Sequence, residues 1–259
     1  RQGPEWMVYA NRCLHCGACL DACPQGAITL EEQGPRTDEA VCLLCGACVT
    51  ACYADARQLV GQRMSVAQVM AEIEKDVAFY DEGGGGVTFS GGEPLAQPDF
   101  LLALLRACRE REIHTVLDTC GYASWSVLDR VRPYVDLFLY DLKVMDDERH
   151  RRLTGVSNVL ILTNVRELAA RGHRIRLRVP VIPGLNDDED NLRRLGRFAA
   201  DLPHLEGVDL LPYHATAADK YGRLERPYSL AEIRPPTQER MAELVAILAE
   251  FGLQVGVGG

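Results

Sequence analysis

No stretch of this 259-residue chain is apolar for long enough to cross a bilayer. It also lacks a charged leader running into a short apolar segment, the pattern of a secretory signal. Basic blocks and stripes are missing, and the formal net charge is −9; that balance sets aside a nucleic-acid footprint. No internal repeat or low-complexity segment stands out. The glycine tract at 83–86 is not followed by Lys-Ser or Lys-Thr, so it reads as a connector and not as a phosphate loop. What is left is a chain with 47% hydrophobic residues, able to bury one ordinary core, or one core and a small module. Cytoplasm is the expected compartment, with no membrane and no nucleic acid as partner. The first residue is Arg1 rather than Met, and a trimmed N-terminus is expected.

Cysteine is where the chain is rich. Eight of its ten cysteines fall in two runs, Cys13-x2-Cys16-x2-Cys19-x3-Cys23-Pro24 and Cys42-x2-Cys45-x2-Cys48-x3-Cys52. This spacing holds cubane iron–sulfur clusters, and in two-cluster ferredoxins the fourth cysteine of each run serves the other cluster. Cys13, Cys16, Cys19 and Cys52 are therefore assigned to one [4Fe–4S] cluster, and Cys42, Cys45, Cys48 and Cys23 to a second. Zinc explains less, because a zinc ribbon needs four thiols and not eight in a doubled pattern. Disulfides would need an oxidising compartment and usually a domain short of core. One detail departs from the pattern: Tyr53 stands where proline often follows the last cysteine.

Residues 1–60 follow the cysteine hooks, with a short strand expected at 27–30, and such a segment folds around its clusters rather than around a core. From about residue 65 the character changes. Residues 65–80 predict a helix with Val66, Val69, Met70 and Ile73 at helical spacing. Strands are expected at 87–90, 115–118, 135–140, 174–182, 207–212 and 253–257. Helices are expected from Pro98 onward with a stripe ending at Cys108, and at 124–132, 158–171, 187–201 and 237–251. The run 135–140 is almost continuously apolar, as a parallel strand covered on both faces would be. This alternation means right-handed parallel α/β units in a barrel or an open sheet. The expected division is a cluster domain at 1–62 and a barrel at 63–259.

In such a barrel the chemistry sits at the carboxyl ends of the strands. Those ends carry Ser90-Gly91-Gly92-Glu93-Pro94, then Asp118-Thr119-Cys120-Gly121, Asp141-Leu142-Lys143, Arg178-Val179-Pro180 and Leu211-Pro212-Tyr213-His214. Each has a plain structural reading: glycines turn the chain, an Asp caps a helix, a lone His is more often structural than a ligand. Five in succession suit a zwitterionic ligand, with carboxylates for an ammonium, cations for a carboxylate and glycine backbone for close approach. Arg174, Arg176 and Arg178 alternate with apolar residues, which puts the guanidinium groups on one face, toward the lumen. The competing reading is an exposed edge strand with arginines reaching into solvent.

With both patterns in view, the chain resembles the activating enzymes of glycyl-radical enzymes, radical S-adenosylmethionine (SAM) proteins related to the pyruvate formate-lyase activase, and within them the subgroup with a two-cluster ferredoxin-like insert. The resemblance covers nearly the whole chain. It rests on Gly86-Val87-Thr88-Phe89-Ser90-Gly91-Gly92-Glu93-Pro94-Leu95, on Leu153-Thr154-Gly155-Val156-Ser157-Asn158, on Leu210–His214 and on Lys220-Tyr221. It implies an α/β fold, a partial (β/α)6 TIM-like radical SAM barrel with its first strand missing. Gly91, Gly92 and Glu93 would hold the methionyl amine of SAM; Asp141, Leu142 and Lys143 would lie along its carboxylate region; His214 would sit against the nucleoside, and Arg178 in the same pocket. Asp118, Thr119, Asp141 and the carbonyl of Leu139 correspond to a monovalent-cation site. Cys120 would line the pocket and Cys108 belong to the core. The family's CxxxCxxC motif, which holds a third, SAM-binding [4Fe–4S] cluster, is absent, so the chain is expected to be an N-terminally truncated enzyme, inactive as it stands.

The implied reaction uses SAM and one electron to make a 5′-deoxyadenosyl radical, which takes a hydrogen from a glycine of a partner glycyl-radical enzyme. Flavodoxin or ferredoxin would feed the two auxiliary clusters. The alternatives are another radical SAM enzyme with auxiliary clusters, and a non-enzymatic ferredoxin-type electron carrier, which would not bind SAM.

Overall fold

Both cysteine hooks fold the same way. In the first, His15 takes φ 52° and Gly17 φ 78° ahead of a one-turn helix, α1 (Ala18–Asp21); in the second, Leu44 takes φ 52° and Gly46 φ 80° ahead of α2 (Ala47–Thr50). The left-handed positions turn each loop tightly enough to bring its thiols to one side. This corrects the expectation that nothing repeats: the hooks are structural copies, built on a shared Cys-Leu-x-Cys-Gly-Ala-Cys too short to stand out as a repeat. Two antiparallel ribbons frame them. β1 (Glu5–Val8) pairs with β4 (Arg57–Val60), and β2 (Ile28–Glu31) with β3 (Gly34–Thr37). Their buried apolar side chains are few, chiefly Trp6, Val8, Ala27, Ile28 and Ala56.

This computed structural model describes residues 3–32, 34–214 and 216–258. The chain forms two units, one of residues 1–63 with His214–Ile233, the other Met64–Tyr213 with residues 234–259. In the second unit six parallel strands make one sheet: β5 (Val87–Phe89), β6 (Thr115–Thr119), β7 (Leu137–Asp141), β8 (Ile175–Val181), β9 (Leu205–Pro212) and β10 (Val255–Val257). They lie in sequence order, and β5 and β10 do not pair with each other among the described residues, so the barrel is partial. The helices between them are α3 (Val66–Ile73), α4 (Val77–Gly83), α5 (Pro98–Glu110), α6 (Trp125–Val131), α7 (Asp147–Thr154), α8 (Val159–Ala170), α9 (Glu189–Ala200) and, after the excursion α10 (Thr216–Arg223), α11 (Gln238–Ala249).

Burial alternates along the central strands. On β8, Ile175, Leu177, Val179 and Val181 are buried in the main core with Val165, Leu168, Leu192 and Leu195 of α8 and α9, while Arg176 and Arg178 face the half-open side. The edge-strand reading of these arginines falls, because β8 is hydrogen-bonded to β7 and β9 on both sides. On β7, Phe138 and Tyr140 are buried but Leu137, Leu139 and Asp141 are only half so. The expectation of two covered faces is thus too simple: helices cover one face and the lumen the other.

Three further differences have physical reasons. The helix expected at 65–80 is broken by a 3-10 turn at Glu74–Asp76, where Asp76 (φ −103°, ψ 3°) leaves helical geometry. Helix α7 was not expected because Asp-Glu-Arg-His-Arg-Arg-Leu-Thr offers no apolar stripe; it is held by its ends, with the Asp146 side chain accepting the Arg149 N–H and Gly155 (φ 82°) closing it. A single boundary near residue 62 leaves out His214–Ile233, which belongs to the cysteine-bearing unit. There Glu225 accepts the Thr37 N–H at 3.1 Å, Arg226 pairs with Glu5 and Glu39, and Leu224 is buried.

Candidate functional site

The eight hook cysteines separate into two cavities. Cys13, Cys16, Cys19 and Cys52 line one, and Cys23, Cys42, Cys45 and Cys48 line the other. All are free thiols. Each cavity is thus walled by four thiols, three of them from one CxxCxxC run and the fourth from the other hook. Four thiolates around one space are what a cubane takes, and two such sets exceed the need of one zinc ribbon. The donor set therefore fits a cluster in each cavity. Backbone N–H groups already face the sulfurs: His15 to Cys13 at 3.4 Å, Ala27 to Cys23 and Ala56 to Cys52 at 3.3 Å. The Ala27 contact leads the effects that lower the Cys23 pKa, whereas burial raises that of Cys19.

The second constellation lies at successive strand ends of the barrel unit. After β5, Glu93 is caught by four donors: Thr119 Oγ1 at 2.7 Å and the Leu95 N–H at 3.1 Å on Oε1, the Cys120 N–H and Sγ, both at 2.9 Å, on Oε2. That takes up the acceptor capacity of a carboxylate. Burial, then the bond to Glu93, pushes the Cys120 thiol up to about 11. Beside it Asp118 accepts from Ser90 Oγ at 2.8 Å and pairs with Arg178 Nη1 at 2.9 Å. Arg178 Nε then stands 3.9 Å from Asp141 Oδ1, and Lys143 Nζ 3.8 Å from Asp141 Oδ2. Neither Arg178 Nε nor Asp141 Oδ1 has a hydrogen-bond partner although both are buried. Burial raises the Asp141 pKa, against the pull of Lys143 and Arg178. Gly91, at φ 126°, has nothing within 4 Å of where a Cβ would stand. The set suits a ligand carrying both charge signs, and so fits SAM.

Not every expected residue joins this group. The Leu142 side chain is in the main core and its N–H is tied to the Arg178 carbonyl, so it contributes no lining side chain. His214 is exposed and belongs to the cysteine-bearing unit. Cys108 is fully buried, 3.8 Å from the Met70 sulfur.

Sequence reasoning missed a group of buried asparagines. Asn186 donates to the carbonyls of Lys143 (2.9 Å) and Pro180 (2.6 Å) and accepts the Ile182 N–H (2.7 Å). Asn191 bridges the Asn186 carbonyl and the Met145 N–H. Asn158 reaches the carbonyls of Val144 and Met145, and Asn164 those of Gly121 and Ala123. Together they pin the loops after β6, β7 and β8 that carry the site. The Leu153–Asn158 string is part of this scaffold: Asp147 accepts from Ser157 Oγ and the Asn158 N–H, and His150 Nδ1 lies 2.7 Å from the Val156 carbonyl. The available signal was an Asn at a helix start or inside an apolar helix, where a polar residue must find a buried partner.

Residues 42–196 match the Radical SAM superfamily and residues 12–56 a 4Fe-4S dicluster domain. The chain is 41% identical to the trans-4-hydroxy-L-proline dehydratase activating enzyme of Clostridioides difficile, over 99% of this chain and 88% of that one. It is 42% identical to the choline trimethylamine-lyase activating enzyme of Oleidesulfovibrio alaskensis, over 95% of this chain and 82% of the relative. Among solved structures, a domain of the pyruvate-formate lyase-activating enzyme from Bacteroides vulgatus superimposes with a TM-score of 0.58 at 36% identity, covering 68% of this chain and 99% of that one. A barrel of this topology, a two-cluster head and relatives at this identity lead to one assignment: the chain belongs to the radical SAM activating enzymes of glycyl-radical enzymes.

Proposed function

We propose that Cys13, Cys16, Cys19 and Cys52 hold one [4Fe–4S] cluster, Cys23, Cys42, Cys45 and Cys48 a second, and the strand ends of the barrel unit hold SAM. The observation that carries the SAM reading is the linked set Ser90–Asp118–Arg178–Asp141–Lys143, in which Arg178 Nε and Asp141 Oδ1 are buried 3.9 Å apart and neither makes a hydrogen bond. SAM bound there, given one electron from a reduced [4Fe–4S] cluster, would supply the radical chemistry that takes a hydrogen from the partner's glycine. The chain's own residues do the positioning. Gly91 and Gly92 offer backbone to the methionyl ammonium, and Asp141 Oδ1 offers it an unused acceptor. Lys143 and Arg178 face the carboxylate. Glu93, with two donors on each oxygen, fixes the loop between β5 and α5 and meets the ligand through its backbone.

A monovalent cation at Asp118, Thr119, Asp141 and the Leu139 carbonyl fits poorly. Asp118 Oδ2 is shared by Arg178 and Ser90, and the Thr119 hydroxyl is engaged with Glu93 and the Gly121 N–H. None of the ten cysteines forms a CxxxCxxC triplet, so the chain as given carries two clusters and depends on a third for turnover. Flavodoxin or ferredoxin is the proposed electron donor, and the glycine loop of a glycyl-radical enzyme the protein substrate. No helix among the described residues is long and apolar enough to cross a membrane; the proposed compartment is the cytoplasm.

Anaerobic reconstitution followed by iron counting should give about eight irons per chain, two cubanes. Calorimetry with SAM should then show binding that Asp141→Ala and Arg178→Ala each weaken by more than tenfold, while Arg174→Ala, whose exposed side chain pairs with Glu206, leaves it unchanged. A cluster-loaded protein that ignores SAM would instead be an electron carrier.

A further inference from the structure

One cation is buried where the fold has least reason to put one. Arg57, at the start of β4, is 1% exposed and is the bulkiest of the fully buried side chains. It lines the cavity of Cys13, Cys16, Cys19 and Cys52, and also that of Cys23, Cys42, Cys45 and Cys48. Only one edge of its guanidinium is satisfied: Nη2 donates to Thr37 Oγ1 at 2.6 Å. Nε and Nη1 are buried without a hydrogen-bond partner. The Trp6 ring centroid lies 5.8 Å from its Cζ, a contact worth far less than the hydration lost. Glu225, which holds the Thr37 N–H, has its pKa raised by burial against the pull of the Arg57 charge.

A guanidinium cannot shed its proton to escape burial. Two orphaned donors on such a group cost several kcal/mol unless something anionic meets them, and the spaces beside it are lined by thiols. Each cluster with its four thiolates is a net anion, and it gains one more negative charge on reduction.

We infer that Arg57 is the shared potential-setting residue of the two cluster sites, its free Nε–H and Nη1–H directed to cluster sulfurs and its charge favouring the reduced form of both. This rests on the cluster assignment above. Reduction here is addition of one electron per cluster, supplied in the test by a viologen-mediated dithionite titration; no bond is made or broken, and Arg57 keeps its proton throughout. Two consequences follow. Both potentials rise together, so the clusters stay close in potential and electrons pass between them without a large uphill step. The field is also insensitive to pH across the physiological range, unlike one set by a histidine.

The experiment is an anaerobic redox titration monitored by electron paramagnetic resonance on the full chain. Arg57→Met should lower both midpoints by at least a tenfold change in the ratio of reduced to oxidised cluster at fixed potential, about 59 mV for a one-electron couple. Arg57→Lys keeps the charge but loses the fork, and should give a smaller shift of the same sign at both clusters. Arg63→Gln, an exposed cation of the same unit, controls for net charge and should move neither. If wild-type protein does not bind about eight irons, the cluster assignment fails and not this inference. If it does, unchanged midpoints in Arg57→Met, or a shift confined to one cluster, overturn the inference. Should Arg57→Met not assemble, unchanged midpoints in Arg57→Lys overturn it equally.

Discussion

Gly121→Ala tests whether the loop after β6 is held in place by the core beneath it. Gly121 has φ 66°, and a Cβ there would run into the Tyr140 ring and hydroxyl. That hydroxyl is buried and donates to the Ile161 carbonyl at 2.7 Å. An alanine in the left-handed region costs about 1–2 kcal/mol. Displacing Tyr140 from a buried carbonyl costs about 1–3 kcal/mol more, so the substitution should destabilise the barrel by roughly 2–5 kcal/mol. Tyr140→Phe alone should cost about 1–3 kcal/mol. Because both changes act on the same hydroxyl, the double variant should cost less than their sum, by about 1 kcal/mol or more; the remaining ring carbons keep the relief partial. Denaturant unfolding of the anaerobic protein measures this, with Trp125 of α6 as reporter in a Trp6→Phe background, since the chain has two tryptophans. The loop also carries the Thr119 and Cys120 donors to Glu93, so SAM affinity should fall with stability. Additivity within about 0.5 kcal/mol, or a Gly121→Ala cost below about 1 kcal/mol, would refute the reasoning.

The other expectations concern single groups. Asn186→Ala removes three hydrogen bonds to the β7–β8 loops and should lower unfolding stability by about 2–4 kcal/mol, with SAM binding weakened through Lys143; an Asn186→Ala protein as stable as wild type would count against the pinned-loop account. Cys108 and Cys120 have pKa values raised from 9.0 to about 11, so in cluster-loaded protein at pH 8 iodoacetamide should label Cys120 about a hundredfold slower than an unfolded thiol, and the wholly buried Cys108 more slowly still. The same two thiols bind protons more tightly folded than unfolded. Their contribution to stability is complete below pH 9 and is lost as pH rises through about 11, which a pH series of denaturation midpoints would show. Asp141 is raised by burial, so SAM affinity should decline on mild acidification as its carboxylate gains a proton, and Asp141→Asn should abolish that decline while binding weakly at every pH.

The cysteine spacing and the strand-end motifs were legible because they are local. A hook, from Cys13 to Cys23 or from Cys42 to Cys52, contains its own turns, and the order of motifs along the chain is the order of strands across a sequential parallel sheet. Helix α7 and the pairing of β2 with β3 were not legible: one is polar throughout, and the other includes Gly34-Pro35, poor strand formers fixed by their partner. Leu142 was misplaced because a strand-end position fixes the neighbourhood and not the face. Its flanking residues, Asp141 and Lys143, look toward the lumen, while Leu142 itself packs into the core. The asparagines were invisible for a deeper reason. Their partners are backbone groups on loops up to 46 residues away, and a backbone carbonyl or N–H leaves no mark in the sequence.

Polar satisfaction separates what the fold completes alone from what it leaves for a ligand. Glu93, Asn186 and Asn191 are closed systems in which both side-chain polar atoms find protein partners. Among the described residues, four of the buried side-chain atoms without a hydrogen bond belong to Arg57, Asp141 and Arg178. The other two are Asn164 Oδ1, a neutral acceptor whose own Nδ2 is satisfied twice, and Asp188 Oδ2, which has Arg149 Nη1 at 2.6 Å so that its deficit is one of angle alone. The Arg57, Asp141 and Arg178 deficits differ in that the groups are charged and no geometry short of a shift satisfies them: Arg178 Nε and Asp141 Oδ1 stand 3.9 Å apart, beyond hydrogen-bond reach, with Asp118 on Arg178 Nη1 and Lys143 near Asp141 Oδ2. Native interiors rarely tolerate such groups. That they fall beside thiol-lined cavities and at the barrel's strand ends, and are ionic in each case, is the physical reason for placing charged cofactors there.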